Sequence, residues 1–426
     1  MTTTSHRLTR AELEQQVSRL FAPARSSSSR DEPGCIGLEV ELIPVYVRGY
    51  PPVPVSALSL AEVLSSDEDL ARAACLSFEP GGQVELSPPP GATARAALET
   101  IRELTDRLHQ CVAPHGVLLL STGVNPWSSC DDLGLQTDRP RYRAMQSHFD
   151  AIGAAGRRMI RQTASLQVCL DFGSGEAARE RWELVNRAGP ALTAAFANSP
   201  VLEGTPTGWC SARSAIWQDV DPSRTGFDGA QVGEVDPVDA YLEFALLAEA
   251  IPLTRRESES APPFRLPFGE WLARGDARPD ADDLAHHLTT LFPPVRPHGY
   301  LEVRYIDALP GRWRALPVCL LAVLVYDPEA RRAALSALST PVRPVTEQWR
   351  SAAALGMRDE FLRQHACDLF DIALAGMRRL PAGYLPHDAS SLVEEYRERY
   401  PASGSCPADD LVDRFAACPQ DLSVYL

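Results

Sequence analysis

Four short segments of this 426-residue chain alternate strictly between apolar and polar residues, and the polar positions are largely acidic. Side chains of a β-strand point to opposite faces in turn, so such a segment folds as a strand with one apolar and one acidic face. In Ile36–Leu42 the acidic positions are Glu39 and Glu41. In Leu76–Leu86 a Pro80-Gly81-Gly82 loop pairs Glu79 with Gln83 and sets Ser77 opposite Glu85. That register puts Glu79, Gln83 and Glu85 on one face and Leu76, Phe78, Val84 and Leu86 on the other. In Leu166–Phe172, Gln167 and Asp171 oppose the apolar set, and in Leu301–Tyr305 Glu302 and Arg304 do the same.

For one strand alone, a wet outer face is the ordinary pattern of an antiparallel sheet. Four strands together are different. Glu39, Glu41, Glu79, Glu85 and Glu302 are almost unrelieved by cations along these runs, and like charges facing each other across strands are destabilising. The chain has no lysine, so all 41 basic residues are Arg. This excludes a P-loop lysine, a Schiff-base lysine and a pyridoxal anchor. The economical neutraliser is a divalent cation, and all-oxygen ligands suit Mg2+, with Mn2+ able to substitute. A formal net charge of −15 disfavours nucleic acid and anionic membranes as partners.

The expected fold class is α+β, with a largely antiparallel sheet, because the strands are not regularly separated by helices. Strands are expected at 35–45, 74–79, 83–87, 116–122, 164–172 and 299–307. Helical periodicity marks 8–21, 93–112, 177–197, 237–250 and 358–380, and an apolar helix is expected around 314–326. The expected organisation is an N-terminal helix and Ser-rich link (1–34), a core (35–330) and a C-terminal helical region (331–426). Between 199 and 235 lies a long polar segment without periodicity, expected to be a functional loop. Its Arg213 and Arg224 flank Trp217, and Arg forks suit carboxylate and phosphate oxygens. The polar N-terminus carries no apolar core of a signal peptide, and the apolar run Leu316–Tyr326 is too short to span a bilayer. Ten scattered Cys without a C-x-x-C predict a reduced cytoplasmic protein with neither disulfides nor structural zinc.

These segments together resemble the glutamate–cysteine ligase family shared by plants and many bacteria. The matching pieces are Gly37–Glu41, Glu79–Ser87, Thr163–Val168, Asn198–Pro200, Arg213–Trp217, Asp221 with Arg224–Gly226, and Tyr300–Arg304, in the family order. The Glu-Pro-Gly-Gly-Gln-x-Glu-Leu-Ser piece is the most specific. The acidic, lysine-free chain is most similar to the actinobacterial branch that makes γ-glutamylcysteine for ergothioneine synthesis.

The resemblance implies a glutamine-synthetase-like catalytic fold, a curved antiparallel sheet whose acidic face holds metals and ATP. It implies that ATP phosphorylates the γ-carboxylate of L-glutamate and that the amine of L-cysteine then displaces phosphate. By position it implies Glu39, Glu41, Glu79, Glu85 and Glu302 as ligands of two or more Mg2+, with Gln167 beside them. It assigns Arg161 and Arg213 to substrate carboxylates, Arg224 and Arg304 to phosphates, and Trp217 to the wall of the amino-acid pocket. Arg213 and Arg304 would be the catalytic cations. The alternatives are a related ligase that accepts another amine, and a non-catalytic nucleotide- or glutamate-binding module.

Three further features carry less. Gly173-Ser174-Gly175 follows a strand and opens a helix, but Glu176 at that helix start would repel a pyrophosphate. His286 and His287 are adjacent, so a helix aims them apart. Cys35 and Cys169 are expected in packing, with Cys169 the thiol nearest the polar face.

Overall fold

A computed structural model describes residues 8–22, 33–68, 70, 75–226, 233, 235–251, 265–274, 278–339 and 343–426. The Ser-rich stretch 26–29 and the segment 227–232 lie outside the described residues.

The alternating segments do fold as neighbouring strands. They are β1 (Ile36–Tyr46), β2 (Val53–Pro54), β3 (Leu76–Phe78), β4 (Val84–Leu86), β5 (Val117–Leu120) and β6 (Ser165–Leu170). A small separate hairpin, β7 (Val201–Leu202) and β8 (Thr205–Pro206), precedes β9 (Val295–Pro297) and β10 (Leu301–Asp307). The main sheet has eight strands in the order β3-β4-β1-β6-β10-β9, with β2 and β5 also paired to β1. Every ladder in it is antiparallel. β1 is long because it serves two neighbourhoods. Its first half lies between β4 and β6, and its second half pairs with β5 and β2.

The register places the acids side by side. Glu41 faces Glu85 across β1 and β4, Glu39 faces Gln167 across β1 and β6, and Ser77 faces Glu85 as the loop length predicts. The three-residue turn closes with Glu79 N–H donating to the Gln83 carbonyl at 2.9 Å. Gly81 is required there by crowding, since a Cβ at this position would lie 2.1 Å from the Arg161 carbonyl oxygen.

The opposite face of the sheet is apolar and dry. Leu38, Val40, Leu42, Val84, Leu86, Leu166, Val168, Leu170, Leu301 and Val303 join one continuous core. The helix Ala315–Tyr326, buried along all but its first residue, packs on β6, and the helix Ala94–Val112 packs on β1. Among the described residues no helix is long and apolar enough to cross a membrane. Packing draws no boundary at residue 330, for Leu13, Leu38 and Ala408 belong to the same core.

A second, smaller core lies over the acidic face. It joins Met145 and Phe149 of the helix Pro140–Asp150, Met159 and Ile160 of Ala155–Gln162, and Ala212, Ile216 and Val220 of Ala212–Val220. The last of these corrects the expectation of a long loop. Its apolar stripe recurs every four residues (212, 216, 220) and is masked by the Arg, Ser and Gln between. The single helix expected at 177–197 is two, Gly175–Arg187 and Gly189–Ala195. Pro190 tolerates only the first turn of a helix, so the chain restarts there.

Gly81→Ala should destabilise the protein by roughly 2 kcal/mol or more, because the overpacked Cβ meets backbone rather than a flexible side chain. Urea unfolding of the variant checks this; an unchanged midpoint would mean that the turn has slack.

Candidate functional site

The acidic sheet face forms the floor of a cavity of about 230 Å³. Glu39, Glu41, Glu79, Gln83, Glu85 and Gln167 line it from the sheet, and Arg141, Arg213, Trp217, Arg296 and Arg304 line it from above and from the side. The site thus has a negative floor and a positive wall.

The floor is held by short contacts. Glu41 accepts from the Ser165 N–H at 2.7 Å and from Gln167 Nε2 at 3.3 Å. Gln167 in turn accepts from Arg304 Nη1 at 2.8 Å, so it ties floor to wall. Glu85 accepts from the hydroxyls of Ser77 and Ser87 at 2.8 and 3.0 Å. These bonds fix the carboxylates without neutralising them. Burial, and then the neighbouring Glu302 and Glu85, push the Glu39 carboxyl up to about 7 from an ordinary 4.5. Burial followed by Glu85 raises Glu41, and burial followed by Glu41 and Glu85 raises Glu79. Like charges taken out of water cannot all ionise without a counter-cation. The donor set therefore fits divalent metal. Among the described residues, no three of these glutamates bring ligand oxygens within 4.8 Å of one another. That spacing suits cations shared with a phosphate chain better than a closed all-protein cage.

Glu302, expected among the metal ligands, is held by two arginines. It is 1 % exposed and is gripped by Arg296, with Nη2 at 2.9 Å, and by Arg304 at 3.2 Å. Burial works against its charge, yet Arg304 and Arg296 outweigh it and hold the carboxyl below its usual range. Glu302 anchors the cationic wall. Arg296 sits opposite Glu302 in the β9–β10 ladder, and the only sequence signal for it was the short Val295-Arg296-Pro297 run.

Arg213 is buried beside Trp217, donating to the Arg304 carbonyl at 2.7 Å with Asp307 at 3.8 Å. Asp307 accepts from the Asn198 N–H, Ser199 Oγ and Ser211 Oγ at 2.9, 2.7 and 3.0 Å. Asp307 escaped the alternation because a bulge between Val303 and Ile306 shifts the phase of β10. The Trp217 ring lies 5.6 Å from the Arg213 guanidinium and 5.7 Å from that of Arg304. Beyond this trio a second cavity of about 380 Å³ opens, walled by Phe292, Tyr305 and Trp349. A third, of about 470 Å³, borders Glu39 from the other side, along Gly37, Pro88, Pro90, Cys169 and Tyr300.

Two assigned residues do not reach the cavity. Arg224 is fully buried, bonded to Asp221 at 2.8 Å, to the Thr290 carbonyl at 2.8 Å and to the Glu249 carbonyl. It braces the second core, and the acid at 221 supplies its counter-charge. Arg161 turns behind the Pro-Gly-Gly turn, donating to the Cys130 carbonyl at 2.8 Å and to Gln146 at 2.6 Å. His287 is likewise structural, its Nε2 2.7 Å from the Ala245 carbonyl.

The family model for glutamate-cysteine ligase family 2 (GCS2) matches residues 35–422. The chain belongs to this family. The glutamate–cysteine ligase EgtA of Mycolicibacterium smegmatis is 35 % identical over 401 residues, covering 92 % of this chain and 90 % of the relative. The enzyme of the same name from Mycobacterium tuberculosis is 34 % identical over 369 residues, 84 % of this chain and 81 % of the relative. The chloroplastic glutamate–cysteine ligase of Arabidopsis thaliana is 30 % identical over 359 residues, 80 % of this chain and 66 % of the relative. In fold, the chain is similar to a crystal structure of the Francisella tularensis glutamate–cysteine ligase in complex with AMP, with a TM-score of 0.57, 13 % identity and coverage of 93 % and 88 %. The family resemblance drawn from the motifs holds, and so does the assignment as an enzyme, a ligase of this family.

The raised Glu39 carboxyl has a signed consequence. Below pH 4.5 it is protonated folded and unfolded alike; between 4.5 and about 7 only the folded state keeps the proton. Stability of the metal-free protein therefore falls as pH rises through that window and stays low above it. Glu39→Gln removes this penalty, of order 3 kcal/mol. With chelator present, the variant should melt higher than the parent at pH 8, and the gap should close near pH 5. A gap independent of pH would show that Glu39 is not the strained carboxyl.

Proposed function

We propose that this family member joins the γ-carboxylate of L-glutamate to the amine of L-cysteine with ATP as co-substrate, giving γ-glutamylcysteine, ADP and phosphate. The observation that carries this reading is the pairing of four half-buried carboxylates, none in an ion pair among the described residues, with an arginine wall in one cavity. Such a site attracts anions that bring or share their own cations, as a nucleotide triphosphate does. The names of the relatives support the substrates, and the EgtA relatives support ergothioneine synthesis as the destination. The AMP in the Francisella tularensis structure supports an adenine nucleotide. The cavity bordering Glu39 offers room for its nucleoside.

Glu39, Glu41, Glu79 and Glu85 would hold Mg2+, with Mn2+ able to substitute. When bound, these ions would shield the charge of the phosphates and of the transferring phosphoryl group. The residues of the chain do the rest. Arg213 and Arg304 face the reacting anions from the wall and meet substrate carboxylate and phosphate oxygens. Arg304 stays aimed by Gln167 and Glu302. Trp217 walls the amino-acid pocket and keeps the two guanidinium groups apart. The glutamate γ-carboxylate oxygen attacks the γ-phosphorus and ADP leaves. The cysteine nitrogen then attacks the acyl carbon, and phosphate leaves with the oxygen that came from glutamate. Proximity and charge neutralisation lower the barrier to joining two anions.

With glutamate carrying heavy oxygen in its γ-carboxylate, the complete reaction should deliver one labelled oxygen into inorganic phosphate, with ADP as the nucleotide. Label in AMP, or phosphate free of label, would overturn the acyl-phosphate route. In an amine panel, cysteine should give the highest kcat/KM; equal values for alanine and 2-aminobutyrate would leave a ligase of another amine. Arg213→Ala should raise the glutamate KM at least tenfold, the loss expected of a charge-assisted contact, and barely move the ATP KM. The reverse pattern would move Arg213 to the phosphates.

A further inference from the structure

Away from the acidic cavity, two of the scattered cysteines meet. Cys210 precedes the helix Ala212–Val220, and Cys406 precedes the helix Pro407–Ala417. Both are buried, and their sulfurs, with a carboxylate oxygen of Asp409, lie within 4.8 Å of one another. Gly356 lets them approach, since a Cβ there would stand 2.9 Å from Cys406 Sγ and 3.0 Å from Cys210 Sγ. Arg358 Nη2 donates to Cys210 Sγ at 3.1 Å, and Arg358 Nη1 donates to Asp409. Asp409 also accepts from the Cys406 N–H at 2.8 Å, and its carboxylate, 3.4 Å from Cys406 Sγ, shares the one Cys406 thiol proton with Cys210.

The two sulfurs are not equivalent. The hydrogen bond from Cys406, and then the charge of Arg358, hold the Cys210 thiol below its ordinary range, while Cys406 is raised. A thiolate-forming sulfur beside a neutral thiol is the arrangement of an attacking and a resolving cysteine. The Arg358–Asp409 ion pair beside them is partly open to solvent, with side chains 48 % and 30 % exposed. A soft divalent cation also uses three donors at this spacing, but the guanidinium already occupies the cation's place between sulfur and carboxylate.

We propose that Cys210 and Cys406 form a reversible intramolecular disulfide when the protein meets a hydroperoxide. The Cys210 thiolate attacks the peroxide oxygen, the O–O bond breaks, and hydroxide or alkoxide leaves and takes a proton. Cys406 then attacks the resulting sulfenic sulfur. The S–S bond forms, the S–O bond breaks, and Asp409 passes the thiol proton to the departing hydroxide as water. Two thiols and one hydroperoxide yield one disulfide, water, and an alcohol or a second water. The new bond would tie the joint three residues ahead of Arg213 to the C-terminal helix. That joint already carries the Ser211 cap of the Arg213 helix and the Cys210 and Ser211 N–H bonds to the Ala353 carbonyl, at 2.9 and 3.0 Å.

The test treats the full chain with hydrogen peroxide, blocks the remaining thiols with an alkylating agent and maps the peptides by mass without reduction. A linked Cys210–Cys406 peptide should form ahead of oxidation at the exposed Cys418 and vanish with dithiothreitol. Arg358→Gln, if it unfolds at the parent's temperature, should slow the link about tenfold by losing the charge that favours thiolate. Cys406→Ser should leave Cys210 trapped as an over-oxidised sulfur. Free thiols at both positions after Cys418 has been consumed would overturn the proposal. So would stoichiometric zinc in the purified protein that Cys210→Ser removes, which would make this a metal site.

Discussion

Half-buried carboxylates crowded on one sheet face repel one another, and the molecule is arranged around that repulsion. Glu39, Glu41, Glu79 and Glu85 meet because β1 lies between β4 and β6 in a register that hydrophobic burial on the other face dictates. A slip of one residue would turn Leu38, Val40 and Leu42 into the cavity and the glutamates into the core. The large core thus pins the small polar site, and its area is what tolerates an electrostatic cost of several kcal/mol.

The covering layer solves a second problem. A sheet face lined with acids cannot attract helices by apolar contact, so the helices over it pack mainly on one another. Met145, Phe149, Ile160, Ile216 and Val220 form their own core, and the layer touches the sheet through polar links. Gln83 Nε2 donates to the Thr163 carbonyl at 2.7 Å, and Arg213 reaches the Arg304 backbone and Asp307. A cavity between two cores, bridged by directed bonds, keeps its volume where a single core would fill it.

Much of this was legible in the sequence where period decides structure. The strand faces, the Pro-Gly-Gly turn with Ser77 opposite Glu85, and the helix at 93–112 follow from spacing alone. Arginine partnership was harder, because a guanidinium on a long stem can serve many sites and its sequence position says little about which. Arg224 and Arg161 sit in or near recognisable motifs yet spend their donors on backbone carbonyls and local side chains. Arg296, which grips Glu302, belongs to a three-residue strand too short to show a period. The Ala212–Val220 helix was hidden by polar residues needed at the cavity, and Asp307 by a bulge. In each case the function of the site disturbed the local pattern that would have revealed it.

The absence of lysine gains meaning in this setting. An ammonium buried as Arg213 is would tend to lose its proton, whereas a guanidinium keeps its charge under the same burial. It also divides that charge among several N–H groups. One edge of Arg213 holds the Arg304 carbonyl while the same charge faces Trp217 and the cavity. Arg304 likewise bonds Gln167 and Glu302 and still faces Trp217. A point charge would be consumed by one such partner. The fork lets a single residue be fixed by the fold and remain available to an anion, and this double use allows a wall of positive charge to stand, dry and in place, beside carboxylates that would otherwise neutralise it.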